Sequence, residues 1–134
     1  MKILAVSDEE CAALWDHYSP GRLDEYDLII SCGDLKAEYL SFLVTMAKCP
    51  VLYVHGNHDT GYARKRPEGC DCIDGKIVVY NGVRIMGLGG CRQFGMKAPG
   101  SDPNVALKNI LAKLKEINLA ENNKFFLWHT WFSD

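Results

Sequence analysis

Three short apolar runs, each followed closely by an aspartate or asparagine, constrain this chain more than any other feature. The runs lie at residues 2–6, 27–31 and 50–54, and the polar residues after them are Asp8, Asp34 and Asn57. Runs of this length fit buried strands, and helical patterns between them predict strand–helix–strand units with a parallel sheet. Because parallel strands end at one edge of a sheet, we expect the polar side chains to converge there.

The segments between the runs predict helices and one surface loop. Residues 10–18 and 36–48 carry apolar side chains at helical spacing, and Pro20-Gly21 ends the first of them. Residues 62–69 combine charge, proline and glycine without a period, which is typical of an exposed loop.

The second half of the chain predicts a change of pairing. Asn-Gly at positions 81–82 separates apolar runs at 76–80 and 83–88, which indicates a tight hairpin and antiparallel pairing in the later sheet. A helical pattern follows at 102–117, and residues 124–129 form a last apolar strand.

Length and composition favour one domain over residues 1–134, with 48% apolar residues to build its core. A net charge of −2 predicts no general attraction to nucleic acid or to anionic membranes. The chain shows no signal peptide and no membrane-spanning run, so we expect a cytoplasmic protein with its six cysteines reduced. Cys70 and Cys72 lack zinc-site spacing and are interpreted as exposed loop thiols.

The polar residues at the strand ends have the chemistry of metal ligands. The candidate ligands are Asp8, Glu10, Asp34, Asn57 and His129. Hard oxygens with an imidazole suit manganese, iron, zinc or magnesium, and Asp34, central in the strand order, is the best bridge between two metals. Taken one at a time, the aspartates and Asn57 also suit helix caps, and His129 also suits a packing role.

Together these motifs resemble the calcineurin-like metallophosphoesterases, in particular their small prokaryotic members. The match consists of Asp8, Gly33-Asp34 and Gly56-Asn57-His58-Asp59, at intervals of 26 and 23 residues, followed by a glycine-rich turn at 87–90. The resemblance implies an α/β fold, a sandwich of mixed β-sheets flanked by helices.

The same resemblance implies a site with two divalent metal ions, of which manganese is favoured. Asp8 would bind one ion, Asp34 both, and Asn57 and His129 the second. His58 would contact phosphate and protonate the leaving oxygen, while Asp59 orients its ring. An imidazole suits this work because it titrates near neutrality.

Arg92 and the backbone N–H groups near Gly89-Gly90 are candidates for holding phosphate oxygens, although Arg92 also suits a solvated loop. Three departures from the family pattern bear on the site, and one is that Trp128-His129-Thr130-Trp131 lacks the prolines that usually follow the late histidine. Glu10 stands where the family usually has histidine, which favours harder cations such as manganese or magnesium, although a glutamate here also suits the first turn of a helix. The family's closing Gly-His-x-His segment does not occur before Asp134, so we expect a fold incomplete at the C-terminus, with an exposed sheet edge that favours homo-oligomers.

The sequence therefore predicts a metal-dependent phosphoesterase that hydrolyses small phosphomonoesters or phosphodiesters, with impaired activity. Two alternatives stay open. One is a catalytically weak phosphate- or nucleotide-binding module, and the other is a truncated, non-functional fragment.

Overall fold

The protein has a mixed α/β fold, as predicted. The computed structural model describes residues 1–56 and 58–89, and the backbone of 124–128. These residues form a four-stranded sheet, a three-stranded sheet, one α-helix and two short 3₁₀ helices. The predicted helix at 102–117 lies outside the described residues.

The first sheet is parallel, and its strands lie side by side in chain order. They are β1 (Ile3–Val6), β2 (Leu28–Ser31), β3 (Val51–Tyr53) and β4 (Asp71–Cys72). The first three confirm the strands predicted from the apolar runs. The sequence did not predict β4, because two residues are too short to show a period.

The pairing register brings the first three strands to a common end. Val6 pairs with Ser31, and Ser31 pairs with Tyr53. The loops that follow these strands therefore leave the sheet at the same edge, as predicted, although Asn57 in the third of these loops lies outside the described residues. We call this the carboxyl edge of the first sheet.

One of the two predicted early helices forms. Helix α1 (Ala37–Met46) confirms the prediction for 36–48, with Glu38 in its first turn. The prediction of a helix at 10–18 is wrong, because only a 3₁₀ helix at Ala12–Leu14 forms there. Nucleating a helix is costly, and so short a segment adds few further bonds to offset that cost. No helix in the described ranges is long and apolar enough to cross a membrane.

The second sheet contains the predicted hairpin. Strands β5 (Ile77–Tyr80) and β6 (Val83–Leu88) pair antiparallel, and Asn81 and Gly82 between them have φ values of 49° and 75°. These positive values are the backbone that the Asn-Gly signal predicts. Strand β7 (Lys124–Trp128) pairs parallel with β6, so the expectation of antiparallel pairing is wrong for this pair.

Apolar side chains cover both faces of the first sheet. On one face, Ile29 packs with Leu40 and Leu43 of α1. On the other face, Leu28 and Leu52 share a buried cluster with Ile85 of β6. Burial on both faces explains why these strands are almost continuously apolar rather than alternating.

The described cysteines are free thiols, as predicted for a reduced chain. The interpretation of Cys70 and Cys72 as exposed is wrong, because both are partly buried against the cluster beneath α1. The Cys70 thiol lies 3.5 Å from the carbonyl oxygen of Leu40, and burial raises its pKa to about 11. This thiol is therefore protonated and unreactive near neutral pH.

Candidate functional site

Two predicted ligands, Asp8 and Asp34, lie in left-handed backbone conformations at the carboxyl edge. Their φ values are 62° and 58°, and Gly33 before Asp34 has a φ of 104°. The Asp8 N–H donates to the carbonyl oxygen of Gly33 at 3.2 Å. Aspartate tolerates this conformation better than most residues, and backbone of this kind clusters at functional sites. The two turns lie against each other and bring both aspartates to the carboxyl edge.

Asp59 ties the loop after β3 to the loop after β2. Its carboxylate oxygen Oδ2 accepts the N–H groups of Asp34 and Gly56, each at 2.7 Å. Asp59 is 8% exposed, and burial raises its pKa although the two hydrogen bonds act in the opposite direction. A buried carboxylate that accepts two backbone N–H groups is a strong local constraint. Asp59 therefore holds the predicted site loop to the turn that contains Asp34.

The Asp34 side chain completes this connection. Its oxygen Oδ1 accepts the N–H of His58 at 2.8 Å. A β-carbon at Gly56 would lie 2.1 Å from the same Oδ1 and 2.8 Å from the Asp34 nitrogen, so only glycine fits here. We call Asp34, Gly56, His58 and Asp59 the aspartate knot.

The 3₁₀ helix at Asp59–Ala63 continues directly from the knot. The hydroxyl of Tyr62 in this helix donates to the carbonyl oxygen of Leu35, one residue after Asp34. Burial raises the pKa of Tyr62. The His58 side chain itself is exposed, which suits a group that would meet a substrate. The orientation of the His58 ring by Asp59 stays a prediction, since the two Asp59 hydrogen bonds given above go to backbone.

The segment after β1 is more exposed than the knot. Asp8 is exposed, and the Ser7 hydroxyl donates to its carboxylate. The Glu10 carboxylate lies 3.7 Å from the Lys36 ammonium group, which precedes α1. Burial first, and the nearby Asp8 carboxylate second, raise the pKa of Cys32.

The described residues contain part of the predicted ligand set. Asp8 and Asp34 share the carboxyl edge, and Glu10 lies two residues beyond Asp8 with Lys36 beside it. Within residues 1–56 and 58–89, no group of three or more His, Cys, Asp or Glu side chains is arranged to hold a metal ion. The remaining site candidates, Asn57, Arg92 and His129, lie outside the described residues.

The donor chemistry at this edge still fits hard divalent cations. Carboxylate oxygens of Asp8 and Asp34 are the ligands that manganese and magnesium prefer. The neighbouring turns would supply them from a backbone that is already ordered. The site with two metal ions therefore stays a prediction. The carboxylates of Asp8 and Asp34 are suitable ligands for it.

Sequence reasoning missed a second polar cluster at the same edge. His55 Nδ1 lies 3.6 Å from Asp74 Oδ2, and the Gly89 N–H donates to Asp74 Oδ1 at 2.7 Å. The Gly89 N–H thus already has an acceptor, and a phosphate oxygen would have to displace it. No sequence pattern marked Asp74, because the strand before it has only two residues.

Comparison of the chain with protein-family models, with curated proteins and with solved structures finds no match.

Proposed function

We propose that the protein is a metal-dependent phosphoesterase of the calcineurin-like type, which hydrolyses small phosphomonoesters or phosphodiesters. The aspartate knot is the observation that carries this proposal. It joins the two most specific sequence motifs, Gly33-Asp34 and Gly56 to Asp59, through three hydrogen bonds of 2.7 to 2.8 Å. Motifs that only capped separate helices would not need to bond to each other.

The proposal includes the architecture of that family, a sandwich of the two sheets flanked by helices. The buried cluster that contains Leu28, Leu52 and Ile85 supports it, because these side chains come from both sheets. Sheets that pack face to face share such an inner layer of side chains.

Five side chains would hold the two divalent ions, with manganese favoured: Asp8, Glu10, Asp34, Asn57 and His129. When bound, the ions would supply positive charge that polarises the phosphoryl group and activates water. Asp34 suits the bridging place because the knot fixes its Oδ1 against the His58 N–H. A carboxylate that is already oriented loses little freedom when it binds a cation.

Residues of the aspartate knot would bind the phosphate, protonate the leaving group and position the loop. His58, exposed at the carboxyl edge, would bind the phosphate and donate a proton to the departing alkoxide oxygen. Asp59 would fix the backbone on each side of the loop by accepting the N–H groups of Asp34 and Gly56. The substrate is thus a small phosphate ester that can reach an exposed histidine.

A second candidate function is a phosphate- or nucleotide-binding module with weak catalysis. The Glu10–Lys36 ion pair favours it, because a cation beside Glu10 opposes the binding of a metal ion there. Such a protein would bind phosphate compounds without efficient turnover.

The test combines turnover with metal content. We expect the purified chain with Mn²⁺ to hydrolyse bis(4-nitrophenyl) phosphate or 4-nitrophenyl phosphate and to bind two equivalents of metal. Asp34→Asn and His58→Gln should each lower kcat by about 100-fold or more, as removal of a ligand or a general acid does. Asp16→Asn, at an exposed position on the 10–18 segment, is the matched control and should retain full activity.

Absence of turnover with Mn²⁺, Mg²⁺, Zn²⁺ and Fe²⁺ would reject the enzyme. In that case, saturable binding of phosphate or of a nucleotide, measured by calorimetry, would support the second candidate. Equal turnover by wild type and by His58→Gln would remove the catalytic role of that histidine.

A further inference from the structure

His55, Asp74 and Gly89 form a cluster where the ends of three strands meet. His55 follows β3, Asp74 follows β4, and Gly89 follows β6 of the second sheet. One Asp74 oxygen accepts the Gly89 N–H at 2.7 Å, and the other lies 3.6 Å from Nδ1 of His55. A single carboxylate therefore contacts both neighbouring strand ends. We call these three residues the edge clamp.

The packing around the clamp leaves no room for a side chain at Gly87 or Gly89. A β-carbon at Gly89 would lie 2.8 Å from His55 Nδ1 and 2.9 Å from the His55 carbonyl oxygen. A β-carbon at Gly87 would lie 2.5 Å from the carbonyl oxygen of Ile73, directly before Asp74. The two sheets therefore meet here through glycine backbone, and the position of His55 depends on the end of β6.

His55 is joined by a peptide bond to Gly56, which belongs to the aspartate knot. The Gly56 N–H donates to Asp59, and a β-carbon at Gly56 would overlap the Asp34 carboxylate. A movement of His55 is therefore passed to Gly56 and from there to Asp34. A displacement of about 1 Å in a catalytic group can lower a rate about 100-fold.

The exposure of the clamp separates its effect on geometry from its effect on stability. The His55 and Asp74 side chains are 44% and 34% exposed. Contacts between polar side chains as exposed as these contribute little to the free energy of unfolding, because water competes for both groups. We therefore expect that loss of the His55–Asp74 contact frees the His55 ring without unfolding the protein.

We infer that Asp74 is a positioning residue, which couples the second sheet to the proposed site by holding Gly89 and the His55 ring. Its catalytic consequence rests on the proposed phosphoesterase function. The coupling itself is a property of the backbone and can be measured without turnover.

The experiment compares Asp74→Ala, Asp74→Asn and Asp71→Ala. Alanine removes both contacts, whereas asparagine keeps an oxygen that can accept the Gly89 N–H. Asp71 is an exposed residue of β4, three positions before Asp74, and is the matched control. We expect Asp74→Ala to lower kcat for bis(4-nitrophenyl) phosphate about tenfold or more, with KM within about twofold of wild type. Asp74→Asn should retain much of the kcat that Asp74→Ala loses, and Asp71→Ala should have the kcat of wild type.

Amide hydrogen exchange followed by NMR supplies the second readout. In Asp74→Ala, faster exchange at Gly89 would report the broken clamp, and faster exchange at Gly56 and His58 would report its coupling to the knot. Unchanged exchange at Gly56 and His58 would overturn the inference, whatever happens at Gly89.

Two further outcomes separate this inference from the proposed function. If wild type has no turnover, the phosphoesterase proposal fails, and exchange at Gly56 and His58 alone decides whether Asp74 positions the knot. If both Asp74 variants lose kcat only in proportion to a fall in the urea midpoint, Asp74 is merely structural and the inference is overturned.

Discussion

The two halves of the proposed site differ in how firmly the protein holds them. The aspartate knot, after β2 and β3, contains the buried residue Asp59, which is 8% exposed, and three hydrogen bonds between side chains and backbone. The segment after β1, residues 7–10, has an exposed Asp8, and its Glu10 carboxylate lies beside a lysine. Both halves lie at the same edge of the same sheet. The position of a side chain at the end of a strand therefore does not decide how firmly the protein holds it.

Burial and backbone hydrogen bonds make this difference. A buried carboxylate must be satisfied by donors, and the Asp59 carboxylate finds them in two loops at once. An exposed carboxylate such as Asp8 can also be hydrated, so it depends less on protein donors than a buried one does. We expect the knot to be held more firmly than the first segment before a metal ion or substrate binds.

The largest expected effect is at Asp59. Asp59→Ala should lower the free energy of unfolding by about 3 kcal/mol, because two backbone N–H groups lose a charged acceptor in a buried place. Glu10→Ala, in the first segment, should lower it by less than about 1 kcal/mol. Urea unfolding of both variants measures the difference, and equal losses would show that the two halves are held alike.

Gly56→Ala should come next, at about 2 kcal/mol, because the new β-carbon would overlap the Asp34 carboxylate and backbone. Gly61 is the control, since it lies in the following 3₁₀ helix and a β-carbon there would have nothing within 4 Å. Gly61→Ala should leave the urea midpoint close to that of wild type. A small loss of stability in Gly56→Ala would mean that the aspartate knot shifts easily to make room for the β-carbon.

Two cysteines report on the two halves by their reactivity. Cys11 is exposed directly after Glu10, whereas Cys32 is partly buried before Gly33 and its pKa is raised by burial. Because the thiolate is the reactive form, iodoacetamide at pH 8 should modify Cys11 about tenfold faster than Cys32. Mass spectrometry of timed digests measures both rates. Comparable rates would indicate that the strand end before the knot opens often.

The smallest expected effect on stability is at Lys36. The Lys36 side chain is 78% exposed and gives α1 no side-chain cap, so Lys36→Met should change the free energy of unfolding by about 0.5 kcal/mol or less. Removal of this cation should make Glu10 a better ligand and raise the affinity for Mn²⁺ several-fold, measured by calorimetry. A lower affinity would show that Lys36 supports the first segment and does not compete with the metal.

The sequence by itself determined the elements whose signal is local. The apolar runs predicted β1, β2 and β3, helical spacing predicted α1, and Asn81-Gly82 predicted the hairpin. It also placed Asp8 and Asp34 at one edge of the sheet, because parallel strands that follow one another in a sheet must end together. The helix expected at 10–18 failed for a local reason as well, since its pattern was too short to offset nucleation.

Only the tertiary structure decided which partners the site residues take. Asp59 lies next to His58 in sequence, yet its carboxylate bonds the backbone of Asp34, 25 residues away. His55 lies beside Asp74, and Glu10 lies beside Lys36. No sequence motif identifies either of these contacts. Side-chain periodicity reports whether a position is buried, whereas a hydrogen bond depends on atoms that approach from distant segments. For that reason the sequence pattern placed the candidate residues Asp8 and Asp34 at one edge of the sheet, whereas packing at that edge selected their hydrogen-bond partners.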